Sequence, residues 1–174
     1  RRRITKLMRA FMISALLCLA ACTQGGTPIP AHVGRELTPQ TRTLLSGNQA
    51  MALTHQCSRV SPGPVTGQWT PTDAQLEAFE QPLTSVLKGQ LARAGVTTPP
   101  GDYYRQYAGF IINGRRVIYV NGFDRSTLDH PNPDHPFAWR TQALSICDGG
   151  MITFGAEYDA ETHQVSNFAF NGAL

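Results

Sequence analysis

The chain has 174 residues, with 15 lysines and arginines against 12 aspartates and glutamates, for a formal charge of +3. Hydrophobic residues make up 41% of it, enough for a real core, which argues against a disordered or collagen-like polymer. The basic excess lies at the start, in Arg1, Arg2, Arg3, Lys6 and Arg9. A nucleic-acid partner, which would need clustered Lys and Arg on the folded part, is therefore not expected.

After those charges comes Ala10 to Ala21, apolar except for Ser14. A bilayer-spanning helix needs roughly 20 apolar residues, so this run is too short to span. A basic head, a short apolar run and small residues at its end make a secretory signal over residues 1–21. Its end, Leu19-Ala20-Ala21-Cys22, resembles the lipobox of bacterial lipoproteins. The resemblance covers only this leader. It implies that the Cys22 thiol is diacylglycerylated and becomes the acylated first residue after cleavage. Two or more acyl chains anchor stably where one binds only marginally. With Thr23 rather than Asp after the cysteine, the resemblance implies the outer membrane, facing the periplasm. Cleavage removes five basic residues and no acid, leaving 10 against 12.

Residues 22–40 are rich in Gly, Pro, Thr and Gln and read as a lipidated tether. If Cys18 leaves with the leader and Cys22 carries lipid, Cys57 and Cys147 remain. In an oxidising compartment they most simply pair. The bridge would close a loop of about 90 residues, worth roughly 4–5 kcal/mol on the chain-entropy account. A free buried thiol or a metal ligand are the alternatives.

Residues 41–174 read as a single α+β domain. A short helix within 41–56 is interrupted by Gly47-Asn48, and Ser61 to Gly67 is a turn-rich connector. The clearest helix follows. Thr70 suits its cap, Pro71 its first turn and Asp73 its positive dipole end. Leu76, Phe79, Leu83, Val86, Leu87 and Leu91 form one stripe, Pro82 predicts a kink or break, and Gly95 a stop. Tyr103 to Phe123 is two strand-like runs around Asn113-Gly114, the signature of a type I′ hairpin. A two-residue turn pairs Ile112 with Arg115, Phe110 with Val117 and Ala108 with Tyr119. Both faces are apolar near the turn, so both are expected to be covered at least in part. Asp124 to Pro136 is a loop, Phe137 to Cys147 a third strand, and "MITFGAEY" with "QVSNFAF" a second hairpin. The expected fold is one long, Pro-kinked helix on an antiparallel sheet of about four or five strands built from two hairpins. In architecture alone this is similar to cystatin-like helix-on-sheet domains.

Chemistry is harder to find. Asp129, His130, Asp134 and His135 are ligand types that suit zinc. Their spacing matches no helical His-x-x-x-His pattern, however, and the intervening prolines favour an exposed loop. Ser126, Ser145 and Ser166 lack a nucleophile elbow. Cys147 beside Asp148 is a thiol candidate only if Cys57 leaves it free. Asp148, Glu157 and Asp159 have no calcium-loop spacing. No nucleotide or dinucleotide motif is present, so no catalytic residue, metal or cofactor is assigned. What remains is Tyr103, Tyr104, Arg105, Tyr107, Arg115, Arg116, Tyr119 and Trp139, residue types that dominate binding hot spots. Alternatively the aromatics are core, with arginine stems covering its edge. The expectation is a non-enzymatic, membrane-anchored protein that binds a protein or envelope ligand, in an inhibitor, immunity or accessory role. The alternative is a small envelope hydrolase or metal-dependent enzyme using the His130–His135 loop.

Overall fold

The computed structural model describes residues 35–37, 40–129 and 138–173. Strands β1 (Arg35–Leu37) and β2 (Arg42–Leu44) precede a short helix α1 (Gly47–Ala52). Strand β3 (Val65–Trp69) and the long helix α2 (Asp73–Arg93) follow. Two hairpins complete the chain, β4 (Tyr103–Ile112) with β5 (Arg115–Asp124) and β6 (Thr153–Asp159) with β7 (Val165–Phe170). The fold is α+β, with one long helix on one mixed sheet.

Helix α2 starts where a capping box closes its first turn. The Thr72 hydroxyl accepts from the Gln75 N–H, and the Gln75 side chain accepts from the Thr72 N–H. The cap is thus Thr72 rather than Thr70, and Pro71 stays outside the helix. The helix runs unbroken through Pro82. An interior proline costs about 3 kcal/mol. Here Leu76, Phe79, Leu83, Leu87 and Leu91 are all buried, on both sides of the proline. Each such side chain contributes roughly 1.5–3 kcal/mol, which outweighs the lost hydrogen bond. The stripe packs on Tyr103, Tyr107, Ile118, Val120, Phe154, Ala156 and Tyr158. Phe79 stacks on Tyr158 with ring centroids 4.8 Å apart.

The β4–β5 hairpin turns at Asn113 and Gly114, with φ of 51° and 75°, and pairs Ile112 with Arg115, Phe110 with Val117 and Ala108 with Tyr119. Its second face is also covered: Leu45, Ala50 and Leu53 pack on Ala108, Phe110, Ile112, Val117 and Tyr119.

Several expectations need correction. Among the described residues the sheet has seven strands and is not purely antiparallel. β2 lies parallel to Arg105–Tyr107 of β4, while β3 pairs antiparallel with Gly109–Ile112 on the same edge. β1, β2 and β3 are only three to five residues long, so they carry too few alternations for a period to show. β1 falls inside the expected tether, because backbone pairing with β2 needs no apolar pattern. Gly47 opens α1 instead of interrupting it. The expected third strand is absent: residues 138–147 are irregular, and β5 pairs directly with β6. Side-chain amides hold that segment in place of a backbone ladder.

Candidate functional site

The residues proposed for binding divide between both sheet faces and the hairpin tip. Tyr103 and Tyr107 are buried under α2. Tyr119 and Trp139 are buried on the opposite side, where Trp139 meets Tyr104 edge-on at 4.9 Å and Tyr104 stacks on Phe123. Arg105 is buried as well. These aromatics are mainly core, and of the set only Arg115 and Arg116 are exposed.

Arg105 belongs to an internal polar cluster. Glu80 accepts from the Tyr107 hydroxyl and lies 3.7 Å from Arg42 and 3.8 Å from Arg105. Arg42 also meets Glu77 at 2.9 Å, and Arg105 donates to the Pro100 carbonyl at 2.8 Å. Burial, followed by the Glu80 charge, pushes the Tyr107 phenol well above its ordinary pKa, so it stays a neutral donor. The two guanidinium and two carboxylate groups balance, and the cluster seals α2 against β2 and β4.

The tip is built differently. The type I′ turn brings Arg115 to Asp159 at the end of β6, with N–O 2.7 Å. The Asp159 carboxylate also accepts from the Thr162 and Glu161 N–H groups, both at 2.9 Å. The Thr162 bond leads in holding its pKa below the ordinary value of 3.8, with Glu161 and the Arg115 charge adding to it. Arg116 sits with its guanidinium carbon 5.4 Å from the Trp69 ring centroid. The Trp69 indole N–H points to the Phe110 and Val117 carbonyls at 3.1 and 3.3 Å, which fixes the ring beneath the cation. The Arg116 guanidinium makes no hydrogen bond or ion pair among the described residues. The tip therefore offers an oriented, exposed guanidinium beside one already neutralised. It can accept a carboxylate or another anionic group in the fork geometry that arginine favours. Trp69 was not singled out from the sequence, because its register opposite Gly109 depends on the pairing of β3 with β4.

The remaining candidates are dispersed. Cys57 and Cys147 are joined as a disulfide, with sulfurs 2.14 Å and Cα atoms 5.4 Å apart. Both cysteines are exposed. Ser145 lies beside the Cys57 sulfur at 3.9 Å. Asp148 is exposed on the same loop, and Glu157 accepts from Asn167 across β6 and β7. Ser166 is exposed on β7. Asp102, Asp124 and Asp129 line a polar cavity of about 310 Å³ together with Arg125 and Ser126. Among the described residues no group of three or more His, Cys, Asp or Glu is placed to hold a metal ion. Cys22, His130, Asp134 and His135 lie outside the described residues.

No protein-family model, curated protein or solved structure matches the chain.

Proposed function

We propose that this protein is a lipid-anchored component of the bacterial cell envelope that binds a protein or envelope ligand without catalysing a reaction. Its lipid sits on Cys22, the residues between Cys22 and β1 tether it, and it is exported to the outer membrane facing the periplasm. The lipobox-like Leu19-Ala20-Ala21-Cys22 supports the anchor. The pairing of Cys57 with Cys147 suits an oxidising compartment.

The observation that carries the binding reading is Arg116 held over Trp69 with its guanidinium donors unengaged, one residue from Arg115 at an exposed turn. Aromatic and arginine residues presented together on a rigid hairpin are typical anchors of a small interface. The ligand they fit is acidic at the point of contact. An inhibitor, immunity or envelope-accessory role each needs such a surface.

Two measurements test the proposal. Mass spectrometry of the native protein should find a diacylglyceryl group on Cys22 and residues 1–21 removed; an unmodified Cys22 with its leader attached would sink the anchor. Pull-down from detergent-solubilised envelopes should recover a stoichiometric partner that Arg115→Glu/Arg116→Glu weakens. Recovery of no partner, or of one indifferent to both substitutions, would sink the binding site.

A further inference from the structure

Residues 139–148 lie across the sheet face opposite α2 and are held by side chains. The Gln106 amide donates to the Trp139 and Gln142 carbonyls, both at 2.6 Å, and its oxygen accepts from the Leu144 N–H at 2.9 Å. Asn121 donates to the Leu144 carbonyl at 3.0 Å and to the Gln106 oxygen at 3.1 Å. Asn171 donates to the Ile146 carbonyl. Gln49 accepts from the Ala143 N–H at 2.8 Å, and Ser58 from the Asp148 N–H at 3.0 Å. Gln106, Asn121 and Asn171 are themselves buried, at 0%, 2% and 6% exposure. Arg59, two residues from Cys57, lies on the same face and donates to Tyr119, Asn121 and Asn171. An added Cβ at Gly155 would fall 2.6 Å from Arg59 Nε, so only glycine lets the guanidinium lie there.

The apolar contribution to this attachment is greatest at Trp139, with Ala143 only partly packed on the cluster around Phe110 and Tyr119. Trp139 is buried against Tyr104 and Phe123, yet every residue from Arg140 to Asp148 is exposed or half-buried. On the facing segment Val60 is 85% exposed. Segments with few buried apolar contacts open first, well before the global transition. What pins the far end covalently is the Cys57–Cys147 bridge, and both of its cysteines are open to solvent.

We infer that the Cys57–Cys147 bridge is a redox latch that holds the strap Ala143–Asp148 on the sheet face, so that its reduction releases the strap while α2 and the central strands stay folded. A dithiol opens it in two steps. One reductant thiolate attacks a bridge sulfur and the other cysteine leaves as thiolate. The second reductant thiol then displaces the first cysteine, giving two cysteine thiols and one oxidised, cyclic reductant. The strap lifts between its Trp139 anchor and Gly149–Gly150, which stay bonded to Ala173 and Gly172, and water enters over Gln106, Asn121, Asn171 and Arg59. Asn121 and Asn171 then present their amide donors where the Leu144 and Ile146 carbonyls had been.

Hydrogen exchange read by mass spectrometry tests this on the intact protein, before and after dithiothreitol with the thiols capped by iodoacetamide. The reporting amides are Ala143, Leu144 and Asp148, each now bonded to a side chain. Their exchange should speed up by roughly tenfold or more, while α2, β4 and β5 keep their protection. The Cys57→Ser/Cys147→Ser variant should show the same pattern without reductant. Unchanged strap protection after reduction would overturn the latch, because the amides alone would then hold it. Loss of protection in α2 and β4 together with the strap would also overturn it, because the bridge would then be a staple for the whole fold. Should the double variant not fold, the reduced wild-type protein still decides between these outcomes.

Discussion

Glu77 and Glu80 face the same arginine from neighbouring positions on α2, and replacing each by glutamine separates distance from burial. Arg42 lies 2.9 Å from Glu77 but 3.7 Å from Glu80, so distance alone makes Glu77 the stronger partner. Exposure reverses that order: the Glu77 side chain is 61% exposed and that of Glu80 17%. Exposed pairs contribute about 0–1 kcal/mol, so Glu77→Gln should cost less than about 1 kcal/mol. Glu80 also serves Arg105 at 3.8 Å, its carboxylate partner among the described residues. At an effective dielectric near 20, unit charges about 4 Å apart attract by about 4 kcal/mol. Glutamine keeps the shape and an oxygen for the Tyr107 hydroxyl, so the substitution removes charge and little else. Breaking a buried pair from one side costs about 3–5 kcal/mol. The residual exposure of Glu80, and the hold Glu77 keeps on Arg42, place Glu80→Gln near the lower end, at about 3 kcal/mol. Urea denaturation of both variants at neutral pH, with unchanged m-values, gives the comparison. Equal costs for Glu77→Gln and Glu80→Gln would refute the dominance of burial over distance here.

Further outcomes follow from the packing and charge. Phe79→Ala removes a ring stacked on Tyr158 in the fully buried stripe and should cost about 3–5 kcal/mol in the same denaturation. Gly122→Ala sets a Cβ 2.0 Å from the Phe154 ring, which is itself fully buried; forced repacking should cost about 1–3 kcal/mol and shift near-ultraviolet circular dichroism. Asp159 has a folded pKa below 3.8, so its contribution is complete above that value and is lost as pH falls through the lower folded value. Asp159→Asn should therefore lower stability at neutral pH and flatten its acid dependence below 3.8, as read from denaturation midpoints across the acid range. An unchanged acid slope would show that Asp159 is not held by Thr162, Glu161 and Arg115.

Local patterns in the chain already specify much of this architecture. The leucine and phenylalanine stripe of α2 follows from helical period alone, since residues three and four apart must share a face. The β4–β5 register follows from Asn113-Gly114, because a two-residue turn with positive φ at both positions leaves one pairing. Partner choice is another matter. Arg105 and Arg115 sit in one hairpin and look alike in sequence, yet Arg105 is buried beside Glu80 while Arg115 stays in solvent against Asp159. Tyr103, Tyr107 and Tyr119 went to the core for the same reason: α2, α1 and the strap cover both faces of β4 and β5. Nor could the residues from Trp139 to Cys147 announce that they would be held by Gln106 and Asn121 instead of pairing as a strand. Periodicity and turn chemistry act over a few residues and can be read directly. Burial, parallel pairing and side-chain amide contacts join groups far apart in the chain, and they are settled only when the surfaces meet.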